Sequence, residues 1–114
     1  MRLYVTDADE KFPDIYSNYD ITDNIEESTN VLILPGGLGA LRDLFDALDN
    51  QKDILVYNRN MYYTSILNGL FKSQYVEEAS LLNLDIESDY NKLIGKLEER
   101  KNGKTNDGKI SKLL

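Results

Sequence analysis

The stretch Val31-Leu32-Ile33-Leu34-Pro35-Gly36-Gly37-Leu38-Gly39-Ala40-Leu41-Arg42-Asp43-Leu44-Phe45 decides the fold. Val31 to Leu34 is a continuous apolar run of strand length, the pattern of a strand buried on both faces of a parallel sheet. Pro35 to Gly39 breaks that pattern. Leu38, Leu41, Leu44, Phe45 and Leu48 then recur at helical spacing, which predicts a helix to about Leu48. A buried strand, a glycine-rich turn and an amphipathic helix are the front half of a βαβ unit.

Outward from this unit the same alternation continues. Leu3 to Thr6 reads as a first strand, followed by the polar loop Asp7-Ala8-Asp9-Glu10. Phe12 to Asn18 contains Pro13 and reads as irregular. Ile21 and Ile25, four apart with Thr22 or Asp23 as a cap, suggest a short helix over residues 20–28. Ile54 to Tyr57 is a third strand, with the loop Asn58-Arg59-Asn60 after it. Tyr63, Ile66, Leu67, Leu70 and Phe71 mark another helix. Leu81 to Ile86 reads as a fourth strand, and Ser88 as the cap of a last helix carrying Tyr90, Leu93, Ile94 and Leu97. The expectation is a small Rossmann-like α/β domain of three layers, with about four mainly parallel strands, over residues 1–100. Residues 101–114 are expected to form a flexible basic tail. So small a sheet leaves apolar surface at its edges, which predicts a homodimer or higher oligomer.

Composition narrows the chemistry. The chain of 114 residues is 41% hydrophobic and contains no cysteine and no histidine. Disulfides, Cys nucleophiles, His acid–base catalysis and Cys/His zinc sites are therefore ruled out. The net charge of −7 is uneven: residues 7–27 hold eight acids against Lys11 alone, and residues 100–114 hold five bases against Asp107. An acidic body argues against a nucleic-acid partner, which needs a broad basic surface. No apolar run has the length of a membrane span, and the start lacks a signal-peptide pattern, so the cytoplasm is the expected location. No cofactor and no metal is expected.

The turn Gly36, Gly37, Leu38, Gly39 and Ala40 lies at the carboxyl end of its strand, where βαβ proteins bind ligands. Glycines let an anion approach backbone N–H groups, and the helix behind them adds free donors and the positive end of its dipole. The plain alternative is a tight connection with no ligand. Asp43, one turn into the helix, could act on a ribose or stabilise an oxocarbenium-like centre, or merely complement the helix dipole. Arg59 could clamp a phosphate or be an exposed loop residue. Asn58 and Tyr62 are weaker candidates in the same loop, and Tyr63 reads as core. Asp7, Asp9 and Glu10 could hold Mg²⁺, with a faint likeness to haloacid-dehalogenase-type enzymes, but read first as a solvated loop.

Pro35 to Asp43 resembles the P-G-G-x-G-T-x-x-E signature of the LOG (Lonely Guy) family, proteins long mislabelled as lysine decarboxylases. Members are nucleoside 5′-monophosphate phosphoribohydrolases that release free cytokinin bases. Lys52 to Tyr63 resembles the family's strand, Asn-containing loop and paired tyrosines; Ile66 to Tyr75 resembles its next helix, and Leu81 to Glu99 its closing strand and helix. The resemblance implies a Rossmann-like fold, a dimer, and a nucleoside monophosphate or sugar phosphate at the glycine turn. It also makes Asp43 a candidate catalytic residue, with Arg59, or an Arg from a dimer mate, as the candidate that supplies the charge of the family's missing Arg. The departures are specific. The signature Thr is Ala40, the signature Glu is Asp43, and the family's Arg-Lys pair falls by spacing at Asp20-Ile21. The family's N-terminal strands and second glycine-rich loop have no counterpart, so the chain is expected to match the C-terminal portion of that fold. Three functions follow as expectations: a LOG-like binding protein with little or no catalysis, an active N-glycosidic hydrolase on AMP-like substrates, or a structural module.

Overall fold

The structure, a computed structural model, describes residues 1–73 and 82–103. Among these residues five parallel strands form one sheet: β1 (Leu3–Val5), β2 (Ile21–Thr22), β3 (Asn30–Ile33), β4 (Asp53–Tyr57) and β5 (Leu84–Glu87). Their order is β2-β1-β3-β4-β5, one of the common orders of doubly wound sheets. Four helices among the described residues cover it: α1 (Pro13–Asn18), α2 (Leu38–Asp49), α3 (Thr64–Ser73) and α4 (Tyr90–Lys101). The three-layer α/β architecture expected from the sequence is present, with five strands where four were expected.

The layers follow from the two-fold alternation of strand side chains. Val31 and Ile33 of β3, with Ile54 and Val56 of β4, face one way and pack with Leu44, Ala47 and Leu48 of α2 and Leu67 of α3. Leu32, Leu34, Leu55 and Tyr57 face the other way and meet Ile15 of α1 and Leu93 and Leu97 of α4. This explains why the run Val31 to Leu34 is apolar at every position. Each such fully buried aliphatic side chain contributes roughly 1.5–3 kcal/mol.

Two segments differ from the sequence reading. Residues 20–28 are not a helix. Ile21 and Thr22 pair with Leu3 and Tyr4 as the edge strand β2, and only a 3₁₀ turn, Ile25–Glu27, follows. Local side-chain bonds end the helix before it starts: Thr22 Oγ1 accepts the Asn24 N–H at 3.2 Å, and Asn24 Oδ1 accepts the Glu26 N–H at 3.0 Å. Conversely Pro13–Asn18 is helical. Pro13 stands in its first turn, where a missing N–H costs nothing, and the helix buries Ile15.

Smaller differences concern element ends. The cap of α4 is Asp89 rather than Ser88; its carboxylate accepts the Lys92 N–H at 2.9 Å. A 3₁₀ turn, Arg59–Met61, precedes α3, so Tyr63 enters as a fully buried residue ahead of the helix. Leu81, Tyr75 and the tail from residue 104 lie outside the described residues. No described helix is long and apolar enough to cross a membrane.

On the edge strand β5 the face turned from α3 carries Asp85 and Glu87, and α4 answers with cations. Lys96 pairs with Asp85 at 3.0 Å and Glu87 at 3.2 Å. The buried Arg100 lies 3.1 Å from Asp85 and 3.5 Å from Asp53 at the start of β4. Arg100→Met removes the cation from between these carboxylates and is expected to lower unfolding stability by about 3 kcal/mol, measured by urea denaturation.

Candidate functional site

The direction in which strands are added to the sheet reverses between β1 and β3, because β2 lies outside β1 and β3 returns on its other side. The crevice at such a switch point, at the carboxyl ends of the strands, is where doubly wound sheets take ligands. Here its two lips are the loop after β1 (Thr6 to Phe12) and the turn after β3 (Leu34 to Gly39). Backbone and side chain sew the lips together. Thr6 N–H donates to Leu32 O at 3.1 Å, the buried Thr6 Oγ1 accepts the Leu34 N–H at 2.9 Å, and Asp9 N–H donates to Pro35 O at 2.8 Å.

The glycines of the turn divide into two kinds. A Cβ on Gly36 would lie 2.3 Å from the carbonyl oxygen of Asp7, so no other residue fits there. Gly37 is different. It is the N-cap of α2 with extended backbone (φ −98°, ψ −150°), and a Cβ on it would meet nothing within 4 Å. On Gly39 the nearest atom would be Asp7 Oδ2 at 3.8 Å, an ordinary contact. Neither packing nor a left-handed backbone requires glycine at these two positions. Leu38 between them is 82% exposed, and no side chain caps the helix. The start of α2 thus presents bare backbone to open space. Ala40 is buried beneath it.

The loop after β4 closes the turn from the other side. The Tyr62 hydroxyl donates to Gly36 O, and the Tyr63 hydroxyl donates to Leu34 O at 2.5 Å. Burial pushes the Tyr63 phenol up to about 12, against an opposing effect from the Gly36 backbone. Asn58 is buried and engaged internally: its Oδ1 accepts the Tyr63 N–H at 2.6 Å and its Nδ2 donates to Thr64 at 3.0 Å. It holds the loop that carries Arg59 and Tyr62.

Arg59 lies at this edge, as its position after a strand suggested, but faces carboxylates. One of its nitrogens is 3.0 Å from both oxygens of Asp9, and the other pairs with Glu10. The guanidinium also sits 6.0 Å from the centre of the Tyr57 ring. Asp43 is separated from this group. It accepts the Tyr4 hydroxyl at 2.8 Å, on the side of the sheet covered by α2. Burial first, and the Asp43 bond second, hold the Tyr4 phenol well above its usual range.

The sequence reading did not join the β1 loop to the glycine turn. A cavity of about 320 Å³ opens there, lined by Asp7, Ala8, Phe12, Tyr16 and Leu34 among others. The Asp7 carboxylate stands between this cavity and Gly39. Among the described residues no group of three or more acidic side chains is placed to hold a metal ion. Compared with protein-family models, curated proteins and solved structures, the chain matches none.

The two kinds of glycine give a direct stability contrast. Gly36→Ala is expected to cost about 2 kcal/mol or more, because the clash is with backbone. Gly37→Ala is expected to cost less, at most about 1 kcal/mol, the ordinary difference between Gly and Ala at a helix N-cap. Thermal unfolding of both variants checks this.

Proposed function

We propose that this protein binds a nucleotide or sugar phosphate, with the phosphate at the amino end of α2 and little or no cleavage of the ligand. The observation that carries the reading is the pair Gly37 and Gly39. Both leave backbone uncovered at the switch-point crevice, and no contact of the fold explains either. The adjoining cavity of about 320 Å³ has the size of a small-ligand pocket, with Phe12, Tyr16 and Leu34 as wall for a sugar or ring and Asp7, Glu10 and Lys11 as its charged groups. The LOG-like signature at Pro35 to Asp43 supports the same ligand class.

Weak catalysis is favoured by the engagement of both candidate catalytic residues. Asp43 is bonded to Tyr4, and Arg59 is paired with Asp9 and Glu10. Asp7 beside Gly39 adds a negative charge that slows nothing structural but opposes a phosphate, so modest affinity is expected. An active phosphoribohydrolase remains the second reading, resting on the Asp43 position in the signature.

AMP incubated overnight with stoichiometric protein is expected to stay intact by proton NMR while its resonances broaden. Gly37→Ala should weaken that binding at least threefold while the protein stays folded, and Asp43→Ala should not change it. Release of adenine, abolished by Asp43→Ala, would establish the hydrolase instead.

Self-association belongs to the same proposal. Leu38 and Phe45 on α2, and Met61 and Tyr62 in the turn before α3, leave large apolar side chains exposed. A homodimer is expected by sedimentation equilibrium, with Phe45→Glu shifting it toward monomer.

A further inference from the structure

Arg59 stands on the loop that closes over the glycine turn, and it is occupied by two carboxylates. Its partner Asp9 is bonded through its own N–H to Pro35 O, next to Gly36, and Tyr62 of the same loop reaches Gly36 O. The guanidinium is therefore linked to the turn through Asp9, and is held on two carboxylates.

We propose that this ion pair is a latch displaced by the ligand: a phosphomonoester at the glycine turn draws Arg59 from Asp9 and Glu10, and the exchange selects doubly charged phosphates. The inference rests on the phosphate-binding reading above.

Three observations support an exchangeable contact. The first is the fate of the carboxylates. The side chains of Asp9 and Glu10 are 49% and 52% exposed, so water can take over when Arg59 leaves. Arg100 is the contrast: its side chain is only 5% exposed, and its partners are themselves mostly covered. The second is the platform beneath the guanidinium. Tyr57 is buried and fixed by ring contacts with Phe12 and Tyr90, so Arg59 can slide across its face without losing that contact.

The third is the loop itself. Asn60 and Met61 are consecutive left-handed residues, with φ of 54° and 60°. Met61 has neither glycine's freedom nor a side chain suited to that region. The conformation is held by bonds around it: Met61 N–H to Asn58 O, Tyr62 N–H to Arg59 O, and Tyr62 to Gly36. Strain kept in a loop over a candidate site is the usual accompaniment of a two-position element.

The selectivity follows from charge. Arg59 gives up two carboxylates, so a singly charged ligand offers it a weaker partner than it already has. A phosphomonoester carries about −1.5 to −2 at pH 7 and can accept two parallel guanidinium bonds. While the latch is closed, apparent affinity is reduced by the fraction of molecules with Arg59 free.

Calorimetric titration with ribose 5-phosphate tests this on four proteins: wild type, D9N/E10Q, R59Q, and the triple variant. Thermal unfolding first verifies that each is folded; an R59M variant, which keeps the aliphatic stem without the charge, replaces R59Q should the latter unfold. Neutralising the two acids is expected to tighten binding about tenfold when Arg59 is present and less than about threefold when it is absent. Dimethyl phosphate, singly charged, is expected to be discriminated against by wild type and less so by D9N/E10Q. An equal gain in both backgrounds would mean that the acids merely repel the ligand; that overturns the latch and leaves the site. Absence of ribose 5-phosphate binding by all four proteins would overturn the site and the latch with it.

Discussion

The approach of Gly36 to the carbonyl of Asp7 is the contact on which this molecule turns. It brings the ends of β1 and β3 so close that a single methyl group would separate them. That closeness sets the crevice at the switch point, fixes Asp9 against Pro35, and places the Asp7 carboxylate beside Gly39. Thr6 reinforces it from inside, its buried hydroxyl substituting for a strand partner at Leu34. Everything proposed for the carboxyl edge of the sheet depends on this join.

Charge at that edge is balanced within the chain. Asp7, Asp9 and Glu10 bring three carboxylates to the lip of the crevice, and Arg59 answers two of them. The amino end of α2 supplies only partial positive charge. A phosphate entering here meets a site whose strongest cation already has partners. This distinguishes the edge from one in which glycines and free arginines act together, and it is the physical basis for expecting binding of moderate strength.

The central architecture was legible because its signals are local. Val31 to Leu34 is apolar at every position, as a strand between two helical layers must be, and Leu41, Leu44 and Leu48 keep helical register behind it. The two-residue strand β2 was not legible. It exists through pairing of Ile21 with Leu3, and nothing within Asp20 to Glu27 announces that partner. Pro13 misled for the opposite reason: a breaker inside a helix is a favoured first residue of one. At the site, the glycine turn could be read from composition and spacing. The part played by the β1 loop could not, since adjacency of β1 and β3 is a property of strand order. The same holds for Arg59, whose counter-ions lie some fifty positions earlier in the chain.

The most direct test of this account is which backbone amides respond to phosphate. In a proton–nitrogen correlation spectrum titrated with ribose 5-phosphate, the account predicts the largest shifts at Gly37, Leu38 and Gly39, with the Arg59 side-chain Nε–H moving in step. Shifts confined to other surfaces, or none at the glycine turn at saturating ligand, would contradict it and leave the turn as a connection alone.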